Sequence, residues 1–252
     1  MTQSQYKDYP GSSGPFGNAH PAVIAVWAAL LSVAHMLPSL PIIGTGGTFS
    51  VSTVLFPLAG IFFGPVAGAL CAAIGSFIGQ ILAPHTAWLG LGTFIIGTIN
   101  AFVAGSVSRG RPLPALAIIL VGAILWFTTA IGRQVPLFPA VFYSLGLLAA
   151  LLGGIAGSRW LEREHAAAKG AGVWLAAYAG FVGAAAIANY FSLVILKLPP
   201  QVWTYLTFVS PLERAIFATG SVIIGVPLLT GLPRIGVLVG PQGNRFDDDG
   251  GE

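Results

Sequence analysis

One stretch, from Pro38 to Pro84, decides how the rest of this chain can be laid out. It begins as a loop bounded by proline and rich in glycine, running from Pro38 through Gly44, Gly46 and Gly47 to Ser50 without a charged side chain. Mostly apolar residues follow as far as Ala83, and the clearest break among them is Gly64-Pro65. Built as one helix, that run would reach about 50 Å, against about 30 Å of bilayer hydrocarbon. One helix or two therefore fixes the sidedness of every later segment. The loop ahead of the run is also the best candidate for touching a ligand.

A bilayer is the right frame because charge is scarce. Of 252 residues, 55% are hydrophobic and only 8% are charged, whereas soluble domains carry about a quarter charged residues. Each span must then satisfy its own backbone, as a helix does. The apolar runs are continuous rather than alternating, which argues against a transmembrane β-barrel. The net charge of +3 calls for no nucleic-acid partner, since the basic residues sit mainly between spans. Cys71 is the single cysteine, so no intrachain disulfide can form, and its apolar setting reads as packing. Residues 1–20 read as a flexible tail and 236–252 as a flexible acidic one ending in Asp247-Asp248-Asp249-Gly250-Gly251-Glu252. With only Lys7 ahead of the first apolar run and no small-x-small site after it, a cleaved signal peptide is not expected.

Apolar segments fall at about 21–37, 49–63, 65–83, 90–108, 113–132, 136–160, 172–196 and 212–232. Prolines and charged clusters separate them, and proline disfavours helix at the residue before it. Charge placement tests the Gly64-Pro65 break. With eight spans and the N-terminus inside, Lys7, Arg109, Arg111, Arg159, Arg163, Lys169, Arg234 and Arg245 are cytoplasmic, and Arg133, Lys197 and Arg214 are outside. Eight against three follows the positive-inside rule. A single helix over 49–83 would reverse the count unless the N-terminus were outside. The expected fold is thus an all-α polytopic membrane bundle of about eight helices, with both termini cytoplasmic and 21–235 forming one transmembrane domain.

Polar groups within the spans are few. Asn100 and Asn189-Tyr190 lie in the fourth and seventh segments, and Gln80 and His85 near the outer end of the third. An amide in lipid needs a partner, so each is either helix–helix glue or a ligand contact. His35 reads as a packing histidine. Glu213-Arg214 is the one adjacent opposite pair at an outer span boundary. Either Arg214 snorkels while Glu213 favours a helix N-terminus, or the pair recognises a ligand from outside. Trp88, Trp203 and Tyr205 are either an interfacial belt or the mouth of a pocket. Catalytic and metal-binding motifs are missing: there is no His-Glu-x-x-His, no Gly-x-Ser-x-Gly and no Walker loop. No aspartate lies in a span, so an Asp/Glu/His relay is hard to build. The chain reads as a binder rather than an enzyme, with no cofactor and no metal.

In order and spacing, several pieces resemble the substrate-binding S component of energy-coupling factor (ECF) vitamin transporters. Ala25-Val26-Trp27-Ala28-Ala29 is similar to the family's Ala-x-x-x-Ala on the first helix. The outer loop leading to Phe49-Ser50-Val51-Ser52, the turn around Pro57 to Ala69, and Gly97-Thr98-Ile99-Asn100 through Gly105 follow. Ala188-Asn189-Tyr190-Phe191 and Pro211-Leu212-Glu213-Arg214 resemble parts of the last two helices. The likeness covers 21–110 and 172–235, leaving 112–161 as an extra helical pair on a core of six.

The resemblance implies a membrane-embedded subunit that captures a vitamin or similar small molecule for uptake, in a prokaryotic plasma membrane. Its partners would be an ECF T component and two ATPase subunits, which alone would hydrolyse ATP. Gly46, Gly47, Thr48, Phe49, Ser50, Asn100, Asn189, Tyr190, Glu213 and Arg214 would approach the substrate, and Ala25 and Ala29 would meet the T component. The alternatives are a stand-alone secondary transporter or channel-like bundle, or a small intramembrane enzyme.

Overall fold

The computed structural model describes residues 21–37, 39–41 and 48–241. Among them, α1 (Pro21–Ala34) leads into a short hairpin of β1 (Ser39–Pro41) and β2 (Thr48–Ser50), with Leu40 opposite Phe49. A 3-10 turn over Val51–Leu55 then opens α2 (Phe56–Phe63), and α3 (Pro65–Leu82) follows after one residue. The first half continues with α4 (Phe94–Ser108), α5 (Pro112–Thr128) and the single turn α6 (Ala130–Gln134). Beyond it come α7 (Leu137–Leu152), joined by a π-helical turn to α8 (Ser158–Leu161), then α9 (Ala166–Phe191) and α10 (Pro200–Gly231). The bundle is all-α, as its composition requires, apart from the hairpin.

The 49–83 run is two helices, not one. Gly64 sits at φ 87°, ψ 177°, a region essentially reserved for glycine. Pro65 then starts α3 at a position where its missing N–H costs nothing. The chain reverses there, because Gly68 lies against the backbone of Ala59 and Gly60, within 2.5 Å of where its Cβ would stand. Residues eight apart on one straight helix would be about 12 Å distant. From the other side α4 closes on the turn, with Gly60 against the Ala101 carbonyl and Gly105 against Pro65.

Two boundaries differ from those expected. α9 begins at Ala166 rather than 172 and so takes in Lys169, which is buried. α10 begins at Pro200 rather than 212, and the segment from Lys197 to Arg214 is therefore mostly helix. Pro200 is at home in a first helical turn, whereas Pro211 and Pro227 both lie inside α10. Interior proline is tolerated in membrane helices where neighbours re-satisfy the backbone. Here the buried ring of Trp203 anchors the first turns of α10 against Trp126 of α5, with centroids 4.8 Å apart.

Among the described residues, four helical stretches are long and apolar enough to cross a membrane: 65–82, 137–161, 166–196 and 200–235. Four more, at 21–34, 52–63, 94–108 and 112–128, are apolar but shorter. At the centre stands α9, which packs against α4, α5, α7 and α10. Small residues make that possible: Gly183 meets Val103 of α4, Gly146 of α7 meets Val182, and Gly122 of α5 meets Ala186. Close approach of this kind is the usual glue of membrane helices. Cys71 is fully buried on α3, its thiol 3.4 Å from the Ile24 carbonyl of α1.

Candidate functional site: a cavity at the hairpin end

The ends of α1, α3 and α9 and the starts of α2, α4 and α10 all meet at the end of the bundle that carries the hairpin. A single-turn segment over Pro84–Thr86 borders the same end, and β2 lies against it. Between these elements opens a cavity whose wall includes His35, Ser52, Phe56, Asn100, Asn189 and Trp203. It is confined to one half of the bundle. Arg109, Arg111 and Arg163 lie in the connections at the other end, with Arg159 in the short α8 there, the end that the positive-inside rule expects to be cytoplasmic.

Aromatic rings supply much of the wall: Phe56, Trp88, Phe181 and Trp203. Phe56 is held by the His35 ring, 5.8 Å between centroids. Gly97 leaves room for that phenyl group, whose atoms would lie 3.0 Å from a Cβ there. The His35 ring itself rests against Gly79, and its Nδ1 pairs with the Leu31 carbonyl at 2.8 Å. His35 is therefore a packed histidine, as expected, but one that also faces the cavity. Trp88 and Trp203 belong to the pocket, whereas Tyr205 is exposed and off its wall.

Against this apolar lining stand a few polar groups. Asn100 is 3% exposed, and its Oδ1 has no hydrogen-bond partner among the described residues. The indole Nε1 of Trp203 is likewise buried without one. Asn189 donates from Nδ2 to the hydroxyl of Tyr143 at 3.3 Å. Glu213 and Arg214 both reach the wall and pair at 3.5 Å, with side chains 24% and 12% exposed. Arg214 also lies 5.9 Å above the Phe217 ring. The pair is thus drawn into the bundle rather than snorkelling to its surface.

Four of the ten substrate residues expected from sequence come together here: Asn100, Asn189, Glu213 and Arg214. Tyr190 does not; half-buried, it packs edge-on against Phe191 at 5.8 Å instead of lining the cavity. Successive helical residues point about 100° apart, so with Ala188 and Asn189 on the wall the next residue, Tyr190, turns past it. Gly46 and Gly47 lie outside the described residues, while Thr48, Phe49 and Ser50 form β2 immediately before the wall residue Ser52. Ala25 and Ala29 are both exposed on α1 and do not line the cavity. Sequence reasoning missed Phe56 and Phe181, which lie within apolar runs, and Ser210, which precedes the last of them; none carries a signal apart from the fold.

Comparison with known proteins supports this picture for the first half of the chain. Residues 20–135, spanning α1 to α6, match the family model described as ECF-type riboflavin transporter, S component. That match runs on through α5, which the resemblance had placed in an extra pair. No curated protein and no solved structure matches the chain. The chain is recognised, over α1 to α6, as similar to ECF S components, which supports a membrane substrate-binding transporter subunit rather than an enzyme.

Proposed function

We propose that this chain captures riboflavin, or a closely related flavin, from the outer side of a prokaryotic plasma membrane. The observation that carries this reading is the aromatic cavity at the hairpin end of the bundle, walled in part by the α1–α4 residues within the family match. A flavin ring system is a flat, largely apolar plane with hydrogen-bonding groups concentrated on one edge. Stacking aromatic rings and a few fixed amides suit such a molecule. Asn100, with a buried acceptor lacking a partner, would gain most from a ligand donor, since an unsatisfied buried group costs about 1–3 kcal/mol.

Energy would come from elsewhere. The sequence carries no Walker loop, so a T component and two ATPase subunits would drive release. The exposed Ala25 and Ala29, one helical turn apart on α1, offer those partners a smooth face. The Gly46–Ser50 segment would act as a cover over the cavity.

The test is direct. Protein purified in mild detergent should retain a yellow ligand identified by mass spectrometry, and after stripping should quench riboflavin fluorescence saturably at micromolar concentration or below. A colourless preparation that fails to quench would sink the proposal.

A further inference from the structure

At the end of the bundle away from the cavity, the chain beyond α10 folds back onto the turn between α2 and α3. A 3-10 turn over Leu232–Ile235 leads to Gly236 at φ 80°, a conformation that suits glycine. Val239 is then buried, and the Gly240 N–H donates to the Phe62 carbonyl at 2.9 Å, two residues before Gly64. Nη2 of Arg109, from the connection between α4 and α5, reaches the same carbonyl at 3.5 Å. Gly240 and Arg109 are thus neighbours on one acceptor. That long contact is a weak answer to a half-buried guanidinium, and its Nε is buried with no hydrogen-bond partner among the described residues. The exposed Arg111 stands two residues on. Burial, and after it the charge of Arg111, holds the pKa of the Arg109 guanidinium below its ordinary value. Gly110 between them rests on Ser158, whose Oγ would lie 3.4 Å from a Cβ there, so the exposed Arg159 belongs to the same basic end. The described carboxylates are those of Glu162, Glu164 and Glu213, and none of them pairs with Arg109.

We infer that the acidic run Asp247-Asp248-Asp249 of this same chain docks on Arg109 and Arg111 and covers the basic face of the α2–α3 turn. Those aspartates lie outside the described residues, but the chain that carries them leaves at Pro241, one residue past the shared Phe62 carbonyl. Asp247 is six residues beyond Pro241, a reach of up to about 20 Å for extended chain. Arg109 stands beside the start of that tether, so the reach is ample. A tether this short holds the acids at an effective concentration on the order of millimolar. Charge agrees as well, since residues 242–252 carry four carboxylates against one arginine. A guanidinium receives a carboxylate through paired N–H donors, which would meet the part of Arg109 left unanswered. Docked there, the tail screens the arginines from the anionic headgroups that a basic cytoplasmic end otherwise attracts. None of this depends on what the cavity binds.

The experiment follows trypsin cleavage of the full chain after Arg245, read by mass as the loss of residues 246–252. Arg109→Gln with Arg111→Gln leaves the cleaved sequence untouched. It should speed that cut about fivefold or more, the scale of one or two partly exposed ion pairs. Should the double variant fail to fold, Arg111→Gln alone, at an exposed position, should still speed it several-fold. Neutralising Asp247, Asp248 and Asp249 to Asn should lower the melting temperature of the wild-type protein but not of the arginine variant, the non-additivity of groups in contact. Cleavage at the wild-type rate in the arginine variants overturns the inference, as does an equal fall in melting temperature in both backgrounds. Lipid headgroups are the rival occupant, and nanodiscs separate the two. Slow cleavage of the wild-type protein in both phosphatidylcholine and phosphatidylglycerol supports the docked tail. Slow cleavage in phosphatidylcholine with fast cleavage in phosphatidylglycerol gives the arginines to the lipid and overturns it.

Discussion

Gly180 of α9 presses so closely on Asn100 of α4 that a Cβ at 180 would stand 2.5 Å from the Asn100 Oδ1. The contact ties the central helix of the bundle to a polar group of the cavity wall. The missing side chain at 180 is what leaves room for the Asn100 carboxamide between the two helices.

Gly180→Ala should therefore act on binding before it acts on folding. The added methyl must move the Asn100 carboxamide or part α4 from α9, and overpacking of this kind costs about 1–3 kcal/mol. Flavin titration should show a loss of about tenfold or more, with a modest fall in the detergent melting temperature. Equal flavin affinity in the variant would count against Asn100 as a ligand contact.

Gly64→Ala makes the opposite prediction. Its φ of 87° and ψ of 177° lie where a side chain costs about 1–3 kcal/mol. The space itself is open, because the nearest atom to a Cβ is the Arg109 guanidinium at 3.6 Å. Gly64 is at the end of the bundle away from the cavity, so stability should fall while flavin affinity stays within about twofold. Thermal unfolding beside a titration separates the two.

The Glu213–Arg214 pair supplies a third test. Both side chains are largely withdrawn from solvent and 3.5 Å apart. Removing one partner of a buried pair strands the other charge and is worse than removing both. Arg214→Met should lower the melting temperature more than the double variant Glu213→Gln, Arg214→Met. Binding should stay weak in both if the pair meets the ligand, and should recover with stability if it does not.

Much of this was legible from the residues alone. The helical bundle followed from scarce charge, and the turn at Gly64-Pro65 from charge balance, because a reversal there is what keeps the later basic residues on one side. Asn100, Asn189, Glu213 and Arg214 stood out since polar groups in a bilayer must be answered. Tyr190 falls off the cavity wall because a helix turns successive residues apart, which a likeness in sequence order does not reveal. The start of α10 was hidden by Pro211: local preference marks a boundary there, but the packing of Trp203 on Trp126 carries the helix through it. Nor could sequence connect Tyr143 to Asn189, which lie 46 residues apart and on different helices.

Sidedness is the last link between cavity and uptake, and it can be measured without any ligand. The single native cysteine, Cys71, is fully buried, so Cys71→Ala gives a silent background for labelling. His85 and Lys197 are exposed at the cavity end, and Arg111 and Arg163 are exposed at the other. In intact cells, His85→Cys and Lys197→Cys should react with a membrane-impermeant maleimide, whereas Arg111→Cys and Arg163→Cys should react only after lysis. Reactivity follows because an exposed thiol near its ordinary pKa is partly thiolate at mildly alkaline pH. The reverse pattern would turn the cavity toward the cytoplasm, and capture from outside would no longer be possible.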